Sequence, residues 1–217
     1  MIEVVFFDVG GPIYGDRPYY EALRSAIREA VPDLDEAAYW AEFEECRRDQ
    51  DGSFTRRLVT TFVPHDRVAA VIRRGRDLWE YPPDAVQPDA RSALQAMHGA
   101  YRLGILANQE RWIRDTLRRD GLDGFFEVWA VSAEVGAEKP DPRLFDHAVR
   151  QAGVPAERCA MIGDRLDNDI VPARSRGMHA VWLLRGEAPD DPSAEQLAKT
   201  DAAVRSLDQV PDTIARM

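Results

Sequence analysis

Four residues of this chain have the types and spacing that chemistry requires: Asp8, Lys139, Asp164 and Asp169. Asp8 ends the apolar run Val4-Val5-Phe6-Phe7, and Gly10, Gly11 and Pro12 follow at once. Asp164 and Asp169 lie in Gly163-Asp164-Arg165-Leu166-Asp167-Asn168-Asp169, directly after a second apolar run ending at Ile162. Singly, each has an ordinary explanation. Asp8 reads as a turn residue capping nearby amides, Asp164 and Asp169 as acids at a helix N-terminus, and Lys139 as a solvated surface lysine. Together they read differently, because three carboxylates brought into one crevice repel one another unless a hard cation neutralises them. Mg²⁺ suits such a site, since it takes a few carboxylates with carbonyls and waters and bridges readily to a phosphate. Lys139 and Lys199 are the only lysines among 28 basic residues. A lysine kept beside Pro140 in a chain that otherwise uses arginine points to a specific role.

The crevice depends on the elements that carry these residues. Val4–Phe7 reads as a strand buried on both faces, and the glycines after Asp8 mark an abrupt turn or a close backbone approach. From Asp84 onward helix and strand alternate. Helices are expected at Asp89–Met97, Glu110–Arg119 and Pro142–Ala152, and strands at Tyr101–Leu106, Phe126–Val131, Cys159–Ile162, Ala180–Leu184 and Ala202–Val204. Such alternation implies parallel strands joined by right-handed crossovers, hence an α/β three-layer sandwich with a Rossmann-like sheet. The polar stretches after successive strands then share one end of the sheet, where open α/β folds bind ligands.

Residues 14–82 break the alternation. Tyr20, Leu23, Ile27 and Val31 recur at helical spacing after Pro18, and Asp33 or Asp35 is placed to cap a second helix carrying Tyr39, Phe43 and Cys46. Shorter helices are expected around Arg56–Phe62 and Asp66–Leu78. Tyr81-Pro82-Pro83 then makes a stiff joint. The organisation expected is a core of residues 1–13 and 83–217 with a small helical domain, 14–82, inserted after the first strand.

The 217 residues are 45% hydrophobic and 30% charged, the balance of an ordinary globule with room for a sizeable core. A net charge of −10 argues against a nucleic-acid partner. No apolar run has the length of a membrane span, and Met1–Phe7 lacks the pattern of a signal peptide, so no membrane partner and a cytoplasmic location are expected. Cys46 and Cys159 are too far apart in sequence to suggest a disulfide framework or metal spacing.

The order strand-Asp8-x-Gly-Gly, strand-Ala107-Asn108, Glu138-Lys139-Pro140-Asp141-Pro142 and Ile162-Gly163-Asp164 through Asp169 resembles the haloacid dehalogenase-like hydrolase superfamily, in the subgroup with a helical cap after the first strand. The resemblance covers nearly the whole chain. It implies a phosphatase acting on a small phosphorylated metabolite through an aspartyl-phosphate intermediate on Asp8, with Mg²⁺ as cofactor. Asp8, the Gly10 carbonyl and Asp164 would hold the metal, and Asp169 would bind a metal water or orient Lys139. Lys139 would offset charge on the nucleophile and the transferring group, and Gly11, Ala107 and Asn108 would line the phosphoryl site beside it. Monomer and homodimer are both open.

Three positions depart from the family pattern. Family phosphatases carry a second aspartate where this chain has Gly10, threonine at the position of Pro12, and serine or threonine at that of Ala107. Loss of a general acid/base costs about two to four powers of ten in rate. Three outcomes follow: substrates with good leaving groups, a substitute acid such as Asp16, Glu110 or Asn108, or an impaired relative of the family serving as a binding or scaffold protein.

Overall fold

The computed structural model describes residues 1–217, which divide into two compact units, 1–15 with 86–217, and 16–85. Strand β1 (Val4–Phe7) begins the first unit, and all four of its residues are fully buried, as a continuous apolar run between two neighbouring strands requires.

The second unit holds four helices: α1 (Arg17–Ala30), α2 (Glu36–Asp49), α3 (Phe54–Phe62) and α4 (Val68–Leu78). Asp35, rather than Asp33, caps α2 by accepting from the amides of Ala37 and Ala38, and Ser53 caps α3 by accepting from Arg56. Tyr20, Leu23, Ile27, Tyr39, Cys46, Phe54, Leu58 and Val71 form the core of this unit. The Tyr39 hydroxyl donates to the Tyr20 carbonyl at 2.8 Å, so this polar group carried deep into the core is satisfied.

Past residue 85 the chain alternates as expected. The elements are α5 (Ala90–Met97), β2 (Arg102–Ala107), α6 (Ile113–Arg119), β3 (Phe126–Val131), α7 (Ser132–Val135), α8 (Pro142–Ala152), β4 (Cys159–Gly163), α9 (Val171–Ser175), β5 (His179–Leu183), α10 (Ala194–Leu197), β6 (Ala202–Val204) and α11 (Val210–Ile214). All six strands are parallel, in the order β3-β2-β1-β4-β5-β6. Helix α6 starts three residues later than Glu110, and the segment between β4 and α9 is a π-turn, Leu166–Ile170. None of the helices is long and apolar enough to cross a membrane.

This strand order reverses direction at β1. Phe7 pairs with Ile105 of β2 on one side and with Ile162 of β4 on the other, so the chain leaves β1 and β4 on opposite sides of a switch point. A crevice opens there because the connections diverge. Asp8 follows β1 directly and Asp164 follows β4 directly, so the sheet itself places the two carboxylates side by side.

Candidate active site

Asp8, Asp164 and Asp169 converge, with one oxygen of each lying within 4.8 Å of the others. Lys139, from the loop before α8, reaches into the same point. Its ammonium lies 3.0 Å from Asp8 Oδ2 and 2.6 Å from Asp169 Oδ1, and its side chain is 0% exposed. A lysine in that position is neither solvated nor on the surface. Burial disfavours its charged form, but Asp169 and Asp8 outweigh burial and raise its pKa, so it stays an ammonium.

Three further oxygens of the cluster are held by backbone amides. Asp8 Oδ1 accepts from the Val9 amide at 2.8 Å. Asp169 Oδ2 accepts from the Arg165 amide at 3.0 Å, and Asp164 Oδ2 accepts from the Glu187 amide at 2.7 Å. The π-turn explains how Asp169 gets there. Its first bond runs from the Ile170 amide to the Arg165 carbonyl, five residues back, and this widened turn carries Asp169 inward over β4. Gly163 makes room for it, because a Cβ there would lie 2.5 Å from the Asp169 side chain.

Gly11 serves the same purpose for Asp164. Its φ is +77°, and a Cβ on it would lie 2.3 Å from Asp164 Oδ2. Gly10 precedes it and forms a bridge with Tyr14 that closes the turn. Ala107 is fully buried as the last residue of β2, with a methyl group that offers no hydrogen bond. The Asn108 amide is taken up by the backbone of Lys139: Nδ2 donates to its carbonyl at 2.9 Å, and Oδ1 accepts from its amide at 2.6 Å. Asn108 therefore grips the loop that delivers the lysine.

The electrostatics leave the cluster short of positive charge. Burial raises the pKa of the Asp8 carboxyl, Lys139 pulls against that rise and Asp169 adds to it, and together they leave the group pushed up to about 7. Three carboxylates facing one ammonium have an excess of two negative charges when all are ionised, which a single divalent cation would cancel. The donor set is all oxygen, and the 4.8 Å spread is close to the about 4 Å that spans an Mg²⁺ octahedron. The residues present fit a hard divalent ion.

Sequence reasoning missed Gln87, Asp89, Arg165, Arg185 and Glu187. Arg185 and Glu187 follow β5 at the same end of the sheet as the other loops, and that position was the available signal.

A parallel sheet with its acids gathered at the switch point defines a class, and the sequence supplies the membership. The chain belongs to the haloacid dehalogenase-like hydrolases, whose family model matches residues 2–177. It is 30% identical to the glyceraldehyde 3-phosphate phosphatase of Methanopyrus kandleri over 209 residues, 88% of this chain and 87% of that protein. It is 32% identical to the phosphoserine phosphatase of Thermus thermophilus over 201 residues, 84% of this chain and 75% of that protein. Its fold is that of a predicted phosphoglycolate phosphatase from Haemophilus somnus 129PT, with a TM-score of 0.78 at 18% identity, covering 98% of both chains.

Proposed function

We propose that the protein is an Mg²⁺-dependent phosphatase of small phosphorylated metabolites, with Asp8 as nucleophile. The observation that carries this reading is the buried Lys139 ammonium bridging Asp8 and Asp169, with Asp164 beside them. The two phosphatase relatives at 30% and 32% identity support the substrate class. Asp8, the Gly10 carbonyl and Asp164 would hold Mg²⁺, with Asp169 beside them on a metal water. When bound, the ion would supply charge neutralisation for the approaching phosphoryl group.

The chain's own residues do the rest. An oxygen of Asp8 forms the bond to phosphorus while the bond to the leaving oxygen breaks, giving an aspartyl phosphate and an alcohol or its anion. Water then attacks phosphorus, releases inorganic phosphate and restores the Asp8 carboxylate. Lys139 sits close enough to Asp8 to offset the charge that gathers on the transferring group. Asn108 fixes the lysine through both of its backbone groups. Gly10 has no side chain to protonate the leaving oxygen, so turnover favours aryl or acyl phosphates, whose anions leave unaided.

We assign selectivity for the organic part of the substrate to the helical unit, which acts as the cap. Its support is the place of insertion. The chain departs just after the Gly11 turn, and on its return Gln87 donates from Nε2 to the Gly11 carbonyl at 3.1 Å.

The test is hydrolysis of an aryl phosphate with and without Mg²⁺ by wild type, Asp8→Asn and Gly10→Asp. Turnover by wild type, lost in Asp8→Asn and raised in Gly10→Asp, is the expected result. A silent wild type with an active Gly10→Asp would assign the site to binding without turnover. Silence in all three would refute the phosphatase reading.

A further inference from the structure

Arg185, in the loop after β5, holds the turn that follows Asp8. Its Nε donates to the Gly11 carbonyl at 3.1 Å and its Nη2 to the Pro12 carbonyl at 2.5 Å. Its Nη1 lies 2.8 Å from both carboxylate oxygens of Asp89, just before α5. Asp89 in turn accepts from the Ser206 hydroxyl at 2.9 Å and the Leu207 amide at 2.8 Å. The pair is largely buried, with 18% of the arginine side chain and 14% of the aspartate exposed. Two residues further on, the amide of Glu187 donates to Asp164 Oδ2, and the Glu187 carboxylate lies 3.3 Å from the Arg165 guanidinium, at the mouth of the π-turn.

One short stretch, Arg185–Glu187, therefore grips both sides of the switch point. Its arginine holds the backbone behind Asp8, and its Glu187 amide holds the carboxylate of Asp164. The two carboxylates come from strands whose loops diverge, and the sheet register fixes where the strands end without fixing where the loops go. Gly11 closes the arrangement, because its Cα packs directly against Asp164. A fork of several rigid donors suits this task, since two carbonyls and a carboxylate are satisfied by one planar group. Asp89 anchors that group, and with it the turn, to the start of α5.

We propose that Arg185 is a positioning residue that sets the spacing between the Asp8 turn and Asp164, and through it the affinity for the divalent ion. The proposal rests on the Mg²⁺-phosphatase reading above. It predicts that outer residues of this kind control metal binding without touching the ion, where substitution costs roughly 10- to 100-fold in affinity.

The experiment compares wild type, Arg185→Met and Arg185→Lys by calorimetric titration with Mg²⁺, at a temperature where circular dichroism shows each variant folded. Arg185→Lys keeps a cation beside Asp89 but cannot also reach both carbonyls, and it decides the matter if Arg185→Met fails to fold. The expected result is a weaker Mg²⁺ dissociation constant by roughly 10-fold or more in the Met variant, with a smaller loss in the Lys variant. On an aryl phosphate, kcat at limiting Mg²⁺ falls while KM holds. A residue that only stabilised the fold would lower the melting temperature and leave the Mg²⁺ constant of the folded protein unchanged, and that outcome overturns the proposal. Absence of Mg²⁺ binding in wild type would instead overturn the phosphatase reading, and this inference with it.

Discussion

Gly11→Ala is the substitution whose effect the site geometry determines most directly. The added methyl group would lie 2.3 Å from Asp164 Oδ2 and 2.4 Å from its Cγ, on a backbone with φ of +77°. A relaxed carbon-to-oxygen contact is about 3.4 Å, so the carboxylate must retreat by about 1 Å. That retreat breaks its 2.7 Å bond from the Glu187 amide. Holding alanine in the left-handed region costs roughly 1–2 kcal/mol, and losing a hydrogen bond to a charged group roughly 1.5–3 kcal/mol more. The two parts separate in a double-mutant cycle, because Asp164→Ala removes the three atoms nearest the added methyl group. Urea unfolding should show Gly11→Ala costing roughly 1.5–3 kcal/mol less in the Asp164→Ala background than in wild type. Mg²⁺ calorimetry on Gly11→Ala should show weakened binding. Equal destabilisation in the two backgrounds would refute the reasoning, since it would show that the methyl group acts through backbone strain alone.

Two further outcomes follow. Lys139→Met leaves Asp8 and Asp169 buried without their shared ammonium and should destabilise the metal-free protein by roughly 3–5 kcal/mol. Lys199→Met, which removes a side chain 47% exposed and paired only at the surface with Glu195, should stay within about 0.5 kcal/mol of wild type; similar losses in both would count against the Lys139 geometry. Burial alone would raise the pKa of Asp89, but the Arg185 guanidinium, the Leu207 amide and the Ser206 hydroxyl outweigh it and hold the group below its ordinary 3.8. Its contribution is therefore complete above that value and drains away as pH falls through the lowered one. The stability gap between wild type and Asp89→Asn should be flat from pH 7 to 5 and shrink below about pH 4. A gap that stays constant down to pH 3 would show that Asp89 is not held ionised by these partners.

The parts of this fold that were legible in the sequence are those in which a residue's own type decides its place. Val4–Phe7 and Cys159–Ile162 could only be buried strands, so the positions of Asp8 and Asp164 at their ends followed. Lys139 stood out because arginine fills nearly every other basic position. The π-turn was not legible, because Leu166-Asp167-Asn168-Asp169-Ile170 has no composition that separates a five-residue turn from a four-residue one; the difference lies in the Ile170 amide reaching the Arg165 carbonyl. The family resemblance places Asn108 at the phosphoryl site, but nothing in the sequence marks the contact its side-chain amide makes with the backbone of Lys139. The Arg185 brace was hidden for a related reason. Its acceptors are the carbonyls of Gly11 and Pro12, groups that every residue carries, so nothing at the accepting end marks the contact. At the donating end, one arginine among many gives no signal either. Side chains that act on backbone are the ones a sequence conceals, and in this protein Arg185 on the turn after Asp8 and Asn108 on the Lys139 loop are both of that kind.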